Sequence, residues 1–305
     1  MARHGDGGEC AKFQLPVGVP SASGVRYHCK KTGWTDTRQR VLPYLSEEQK
    51  DARLEWAFEH LHNKFEAWVD VDEMWFHCAR LHGRRKRPKD QKLPPRFAKS
   101  KTNIPKVMFL SAVARPRPGF SGIVGVWRVA EPARTQRNSK NRPAGVRYLK
   151  DMSMTSERYF KMMKTKVFPA IRHAFEGTGI RKVTVQQDGA RPHTGKKVVE
   201  RLNKLGRKSR HGIKIVLRTQ PAQSPDFNVN DLALFRALDV SVRKRRREMK
   251  PGERWDKARL AKDVMRQAFT YPAEQLERMW AYKEKFMAAV IGCMDAGGND
   301  YPRHM

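Results

Sequence analysis

Three apolar runs of strand length stand one after another in the first half of the chain: WVDVDEMWF at 68–76, KVMFLSAVA at 106–114 and GIVGVWRV at 122–129. Short runs rich in Val, Phe and Trp read as strands. After the third the period changes. SERYFKMMKTKVFPAIRHAF places Phe160, Met163, Val167, Ile171 and Phe175 on one helical face, with Pro169 predicting a kink or a break. Val183 to Gln187 alternates as a strand ending at or near Asp188; Gly189, Pro192 and Thr194 break it, and Thr194 can cap a helix carrying Val198, Leu202 and Leu205. IKIVL at 213–217 is a further strand. Past the loop TQPAQSPDFNVN a helix begins near Asn230 with Leu232, Phe235, Leu238 and Val242 facing inward, and one or two more helices follow to about Met294. Strands first, then alternating helices and strands, predict an α/β fold: a mixed sheet flanked by helices, with extra C-terminal helices.

Ahead of the first strand, SEEQ has the capping-box form, Ser46 at the N-cap and Gln49 three residues on, and Leu54, Phe58, Leu61 and Phe65 follow at helical spacing. Residues 1–45 are rich in Gly, Ser, Pro and basic residues without sustained apolar periodicity. The organisation predicted is a poorly ordered basic leader over 1–45 and one domain over 46–305.

Within such a sheet some acidic residues are out of place. WVDVDEMWF puts Asp70, Asp72 and Glu73 among large apolar residues, where a charge is costly without a partner or a purpose. Asp188 ends a later strand and Asp231 opens the helix after the next one. Taken singly, an Asp before Gly is ordinarily a turn former and an Asp in a first helical turn ordinarily serves the helix dipole. Taken together, they stand on elements whose ends converge at the rim of a mixed sheet. Clustered carboxylates repel unless cations neutralise them, and Mg²⁺ or Mn²⁺ prefers oxygen ligands. Two such ions, roughly 3.5–4 Å apart, activate a water or hydroxyl and stabilise a leaving oxygen in phosphodiester cleavage or transfer. Nothing in the sequence asks for a small-molecule cofactor.

Charge names the partner. Against 31 Asp and Glu stand 63 Lys and Arg in 305 residues, a formal net charge of +32, which calls for a polyanion and first of all for nucleic acid. No apolar run approaches the roughly 20 residues needed to cross a bilayer. Cys10, Cys29, Cys78 and Cys293 form no Cys-x-x-Cys pair, so neither a zinc cage nor a disulfide framework is indicated. These features predict an intracellular protein that binds no membrane. The candidate phosphate contacts are Arg84, Arg85, Lys86 and Arg87 in GRRKRPKDQK, Arg191 beside Asp188, and Arg243, Lys244, Arg245, Arg246 and Arg247 in RKRRR, a run that also suits a nuclear-import signal. With no helix recognisable as a reader of the major groove, binding to double-stranded DNA should be tight and indiscriminate.

VDEMWF, QQDGARPHTG and QPAQSPDFNVNDLALFRALD, in this order and on these elements, resemble the three blocks around the acidic triad of mariner-type DDE/DDD transposases. The resemblance continues through KVMFLSAVARPRP, RNSKNRPAG and GGNDYPRHM and covers about residues 42–305. It implies a ribonuclease-H-like catalytic domain, DNA strand cleavage and strand transfer, two Mg²⁺ or Mn²⁺ ions held by Asp72, Asp188 and Asp231, a nuclear location, and a homodimer as one assembly open to it. It selects Asp72 over Asp70, because the family's catalytic Asp directly precedes Glu, and it assigns Asp226 a loop-fixing role.

The sequence departs from the family in three ways. Gly189 follows Asp188 where Asn is usual. The 42 residues between Asp188 and Asp231 exceed the familiar spacing, an excess expected to fall in a basic loop over NKLGRKSRHG at 203–212. The paired helix-turn-helix modules have no counterpart in residues 1–45, so the chain reads as truncated at its N-terminus, and a catalytically inactive, nucleic-acid-binding derivative is the alternative reading. His193 reads as a loop histidine that hydrogen-bonds the strand-to-helix turn, since a two-metal mechanism needs no histidine base.

Overall fold

The computed structural model describes Lys31 and residues 45–79, 104–139, 143–208, 212–249 and 255–292. The expected leader, but for Lys31 and Leu45, lies outside them, as do Arg84, Arg85, Lys86 and Arg87. Helix α1 (Glu47–His60) begins as its sequence requires: Ser46 Oγ accepts from the Gln49 N–H and the Gln49 side chain accepts from the Ser46 N–H. Strands β1 (Trp68–His77), β2 (Lys106–Ala114) and β3 (Ile123–Arg128) follow, then a hairpin of β4 (Ala130–Arg134) and β5 (Arg147–Asp151). Helices α2 (Ser156–Met162) and α3 (Phe168–Phe175) lead to β6 (Lys182–Gln187), α4 (Arg191–Thr194), α5 (Lys196–Arg207), β7 (Lys214–Thr219), α6 (Phe235–Arg247), α7 (Lys257–Phe269) and α8 (Ala273–Gly292).

Five strands form one sheet in the order β3-β2-β1-β6-β7; β2 runs antiparallel to its neighbours, while β1, β6 and β7 are parallel. Both faces are covered, so β1 is buried along most of its length. Val69, Val71, Leu110, Val183 and Val185 pack with Tyr159, Ile171 and Leu202 of α2, α3 and α5. Trp68, Phe76, Phe109 and Phe227 pack with Trp56, Leu238, Leu260 and Trp280 of α1, α6, α7 and α8. Strand alternation therefore places Asp70 and Asp72 on the face of Trp68 and Phe76. Among the described residues no helix is long and apolar enough to cross a membrane.

Several expectations need correction. The β4–β5 hairpin was not foreseen: AEPAR and RYLKD carry little apolar signal, and neither strand holds a buried residue. A π-helical turn over Met163–Val167 joins α2 to α3, with Pro169 in the first turn of α3. A wider turn shifts the helical phase, so Tyr159, rather than Phe160, is buried with Met163, Val167, Ile171 and Phe175. A second π turn, Asn230–Leu234, buries Leu234 in place of Leu232. Thr194 does not cap a following helix; it ends α4, its hydroxyl donates to the Ala190 carbonyl, and Gly195 is the N-cap of α5. Residues 203–207 are no loop, because α5 continues to Arg207. Gly206 explains how: a Cβ there would lie 2.2 Å from the Ile215 carbonyl oxygen, so its absence lets α5 close down on β7.

Candidate active site

The parallel pairing of β1 with β6 sets Trp68 opposite Thr184 and Asp70 opposite Gln186. Two residues further along each chain, the same register brings Asp72 level with Asp188. Asp72 is 7% exposed; its Oδ1 accepts from the Glu73 N–H at 2.7 Å, and its carboxyl lies close to that of Asp231. Burial, the Asp231 charge and the Asp231 hydrogen bond hold the Asp72 carboxyl well above the ordinary range. Asp231 lies at the exposed rim, and burial by its surroundings together with the Asp188 charge outweighs the Asp72 hydrogen bond and raises it too.

Asp188 behaves oppositely. Burial pushes its carboxyl up, but hydrogen bonding and the charge of His193 prevail and hold it below the ordinary range. His193 Nδ1 meets Asp188 Oδ1 and Nε2 lies 3.1 Å from Glu73 Oε1, so the ring, 2% exposed, bridges β1 to the end of β6. Burial disfavours the imidazolium, but the two carboxylates reverse this and lift it to about 9. Tyr159 stacks on the ring at 4.1 Å between centroids, its hydroxyl donates to Gln187 Oε1, and Gln187 Nε2 donates to the His193 carbonyl. The histidine thus does more than fix its own turn.

A second network fastens the segment carrying Asp231. Asp70 is fully buried; both its oxygens accept from Lys283 Nζ at 2.8 Å, Oδ1 also from Trp68 Nε1 and Oδ2 from the Val229 N–H. Burial raises Asp70 against the pull of Lys283, and it lowers Lys283 to about 8 despite Asp70. Asn228 Nδ2 and Asn230 Nδ2 donate to the Val71 and Asp70 carbonyls. Gln186 accepts from Lys283 and donates to Gln220 and to the Phe227 carbonyl. Arg53 forks onto both oxygens of Asp226 at 3.0 and 2.8 Å and also donates to Ser224 Oγ. Asp226 thus fixes the loop, and each polar residue of SPDFNVN that is buried has a partner on β1, β6 or α1, or within the loop itself.

The donors suit a hard divalent cation: Asp72 and Asp231 are acids forced together, and two buried oxygens beside them, Ser111 Oγ opposite Asp72 and Asn230 Oδ1 next to Asp231, have no hydrogen-bond partner. Among the described residues, however, no three His, Cys, Asp or Glu side chains converge as a metal ligand set, and Asp188 is engaged by His193. A shallow cleft of about 330 Å³ opens between Asp188 and Asp231, walled by Gly189, Gln220 and Ser224. Of the basic candidates, Arg191 is exposed on α4, Lys244 to Arg247 are exposed on the last turns of α6, and Arg243 is half-buried and paired with Asp239 at 3.1 Å. Sequence reasoning marked Glu73 as out of place but gave it no role, and it missed Tyr159, Lys283 and Arg53. Only Glu73 had a local signal, its place beside Asp72.

The sheet order and the helices on both faces define a ribonuclease-H-like fold. Among solved structures the chain is similar to Mos1, a mariner transposase. A Mos1 paired end complex with Mn matches over 92% of this chain and 72% of that one, at 15% identity and a TM-score of 0.60. A Mos1 strand transfer complex matches over 92% and 71%, at 16% identity and 0.60. The Mos1 catalytic domain with raltegravir and Mg matches over 85% of this chain and 99% of that one, at 14% identity and 0.53. The chain has the fold of the mariner transposase catalytic domain. No protein-family model and no curated protein matches its sequence.

Proposed function

We propose that the chain is a mariner-type transposase core that cuts and joins DNA strands with two divalent ions held by Asp72, Asp188 and Asp231. The observation that carries this reading is the parallel-strand register that brings Asp188 level with Asp72, with Asp231 close enough for its charge to raise the buried Asp72 carboxyl. Ions bound there would supply Lewis acidity, activating water for cleavage or a 3′-hydroxyl for transfer and stabilising the leaving oxygen. The chain's own residues do the rest. Asp70, Asn228 and Asn230 hold the segment bearing Asp231, His193 orients Asp188 from the far side, and the apolar face of Trp68 and Phe76 limits water behind the carboxylates. The exposed run Lys244–Arg247 and Arg191 suit phosphate contacts, and the same run suits nuclear import. Two copies holding two DNA ends are the assembly that this reading implies.

The test uses the full chain, pre-nicked DNA and Mn²⁺. Asp72→Asn, Asp188→Asn and Asp231→Asn should each abolish cleavage and transfer, as should a chelator. Asp226→Asn should act through loop stability and retain activity at temperatures where the variant stays folded. Activity lost in D226N but kept in D231N overturns the assignment. The engagement of Asp188 by His193 favours a second reading, a DNA-binding derivative without catalysis, and DNA binding with no metal-dependent cleavage by the wild type would establish it.

A further inference from the structure

A second cleft, of about 1010 Å³, lies at the β3 edge of the sheet between Trp127–Glu131, the α2 helix with its π turn, Arg201 of α5 and Met265 of α7. It shares no residue with the cleft between Asp188 and Asp231. Six basic residues line it, Arg128, Arg158, Lys161, Lys164, Lys166 and Arg201, against two acids, Glu131 and Glu157. Glu157 is already neutralised by Arg201 at 2.7 Å, whereas Arg128, Lys161, Lys164 and Lys166 form no ion pair among the described residues. The π turn sets Lys164, Thr165 and Lys166 out to solvent one after another, and such turns recur at functional sites.

The lining is also aromatic. Phe160 lies under the Arg201 guanidinium at 3.7 Å, and Trp127 folds its indole over Gly125, where a Cβ would stand 2.2 Å from the ring. A positively charged groove with aromatic faces suits a flexible strand whose phosphates meet the lysines and whose bases stack. A lipid headgroup or a single anion would need donors focused on one point, and here the uncompensated charges are spread along the groove.

The groove borders the same sheet as the carboxylates. Through β2 the register aligns Arg128 with Phe109 and Phe109 with Met74 of β1, two strand spacings or about 10 Å across the sheet. Helix α2 serves both places: Tyr159 stacks on His193, and the next residue, Phe160, lines the groove.

We propose that this groove is a binding site for a single nucleic-acid strand, held by Lys161, Lys164, Lys166 and Arg128 with bases against Trp127 and Phe160. The binding stands whether or not the aspartates are catalytic.

Fluorescence anisotropy of a labelled dT oligonucleotide with the full chain, over a salt series with EDTA, tests it. Replacing Lys161, Lys164 and Lys166 together by Ala should weaken dT binding by about tenfold or more and lower the salt slope by about 2, at ~0.7 for each phosphate left without its lysine. A variant with equal charge removed elsewhere, Lys214→Ala, Arg278→Ala and Lys285→Ala, should lose much less. All six are exposed, and circular dichroism checks that both variants fold. Equal losses in the two variants, or none in the first, overturn the site. A duplex that displaces dT from the wild type but not from the first variant, at lower concentration than unlabelled dT, overturns the single-strand assignment.

Discussion

Lys283 Nζ and Asp70 Oδ1 lie 2.8 Å apart with neither side chain exposed, and the cost of removing either partner follows from how the other can escape its charge. Lys283→Met roughly keeps the volume and leaves the carboxylate with two donors, Trp68 Nε1 and the Val229 N–H. Its escape is to take up a proton. From an ordinary value of 3.8, protonation at pH 7 costs about 4 kcal/mol at ~1.36 kcal/mol per pH unit, within the 3–5 kcal/mol typical of breaking a buried pair. Asp70→Asn leaves the amine, which burial already brings to about 8, to deprotonate. The double variant removes both charges and should cost only about 1–2 kcal/mol, so the pair should show a coupling of at least about 2 kcal/mol. The two single variants should also respond oppositely to pH. A folded state holding a neutral lysine binds fewer protons than the unfolded chain, so the D70N deficit should shrink as pH rises towards about 8, where the wild-type lysine loses its proton too; a folded state holding a protonated Asp70 binds more, so the K283M deficit should grow from pH 4 to 7. Urea denaturation of the four proteins at several pH values measures this. Single deficits below about 1 kcal/mol, or a double variant costing the sum of the singles, would refute the reasoning.

The imidazole of His193 rises from 6.5 to about 9 on folding, so its contribution, on the order of 3 kcal/mol, is fully present below pH 6.5 and lost as pH rises through 9. In EDTA, His193→Gln should flatten that slope in thermal melts, and an unchanged slope would show that other groups set it. Gly206→Ala should destabilise by about 1–3 kcal/mol through overpacking against the Ile215 carbonyl, read as a lower Tm; an unaltered Tm would mean that α5 can shift away from β7. Affinity for duplex DNA should fall by on the order of 10³ or more between about 50 and 200 mM salt if six or so phosphates are contacted. Unrelated duplexes should displace a transposon-end duplex equally well, and a strong preference for one terminal sequence would show specific recognition.

What the sequence made legible was whatever a local period could carry. β1 and β2 are rich in apolar residues and β6 alternates, and all three were placed within a residue or two. AEPAR and RYLKD lack that pattern, so the hairpin stayed hidden. The two π turns escaped for a related reason: a 3.6-residue period assumes an even turn, and one wider turn exchanged Phe160 for Tyr159 and Leu232 for Leu234. At the site, Asp72 was marked by the cost of a charge in an apolar strand, but Asp70 bore the same mark for a different reason. The resemblance chose Asp72, but the reason Asp70 is there is visible only in the fold, because its partner stands 213 residues along the chain and no local signal points to Lys283.

That separation bears on the order in which the molecule is assembled during synthesis. Contacts so distant in the chain form late, and until residue 283 has left the ribosome Asp70 has no cation and the Val229–Asp231 segment has an uncompensated charge beneath it. The acidic rim should therefore close only in chains translated through α8. Nascent chains stalled before residue 283 should remain open to proteolysis in β1 and in 224–231, while those stalled well beyond α8 are protected. Equal protection of both would show that the rim closes without the lysine.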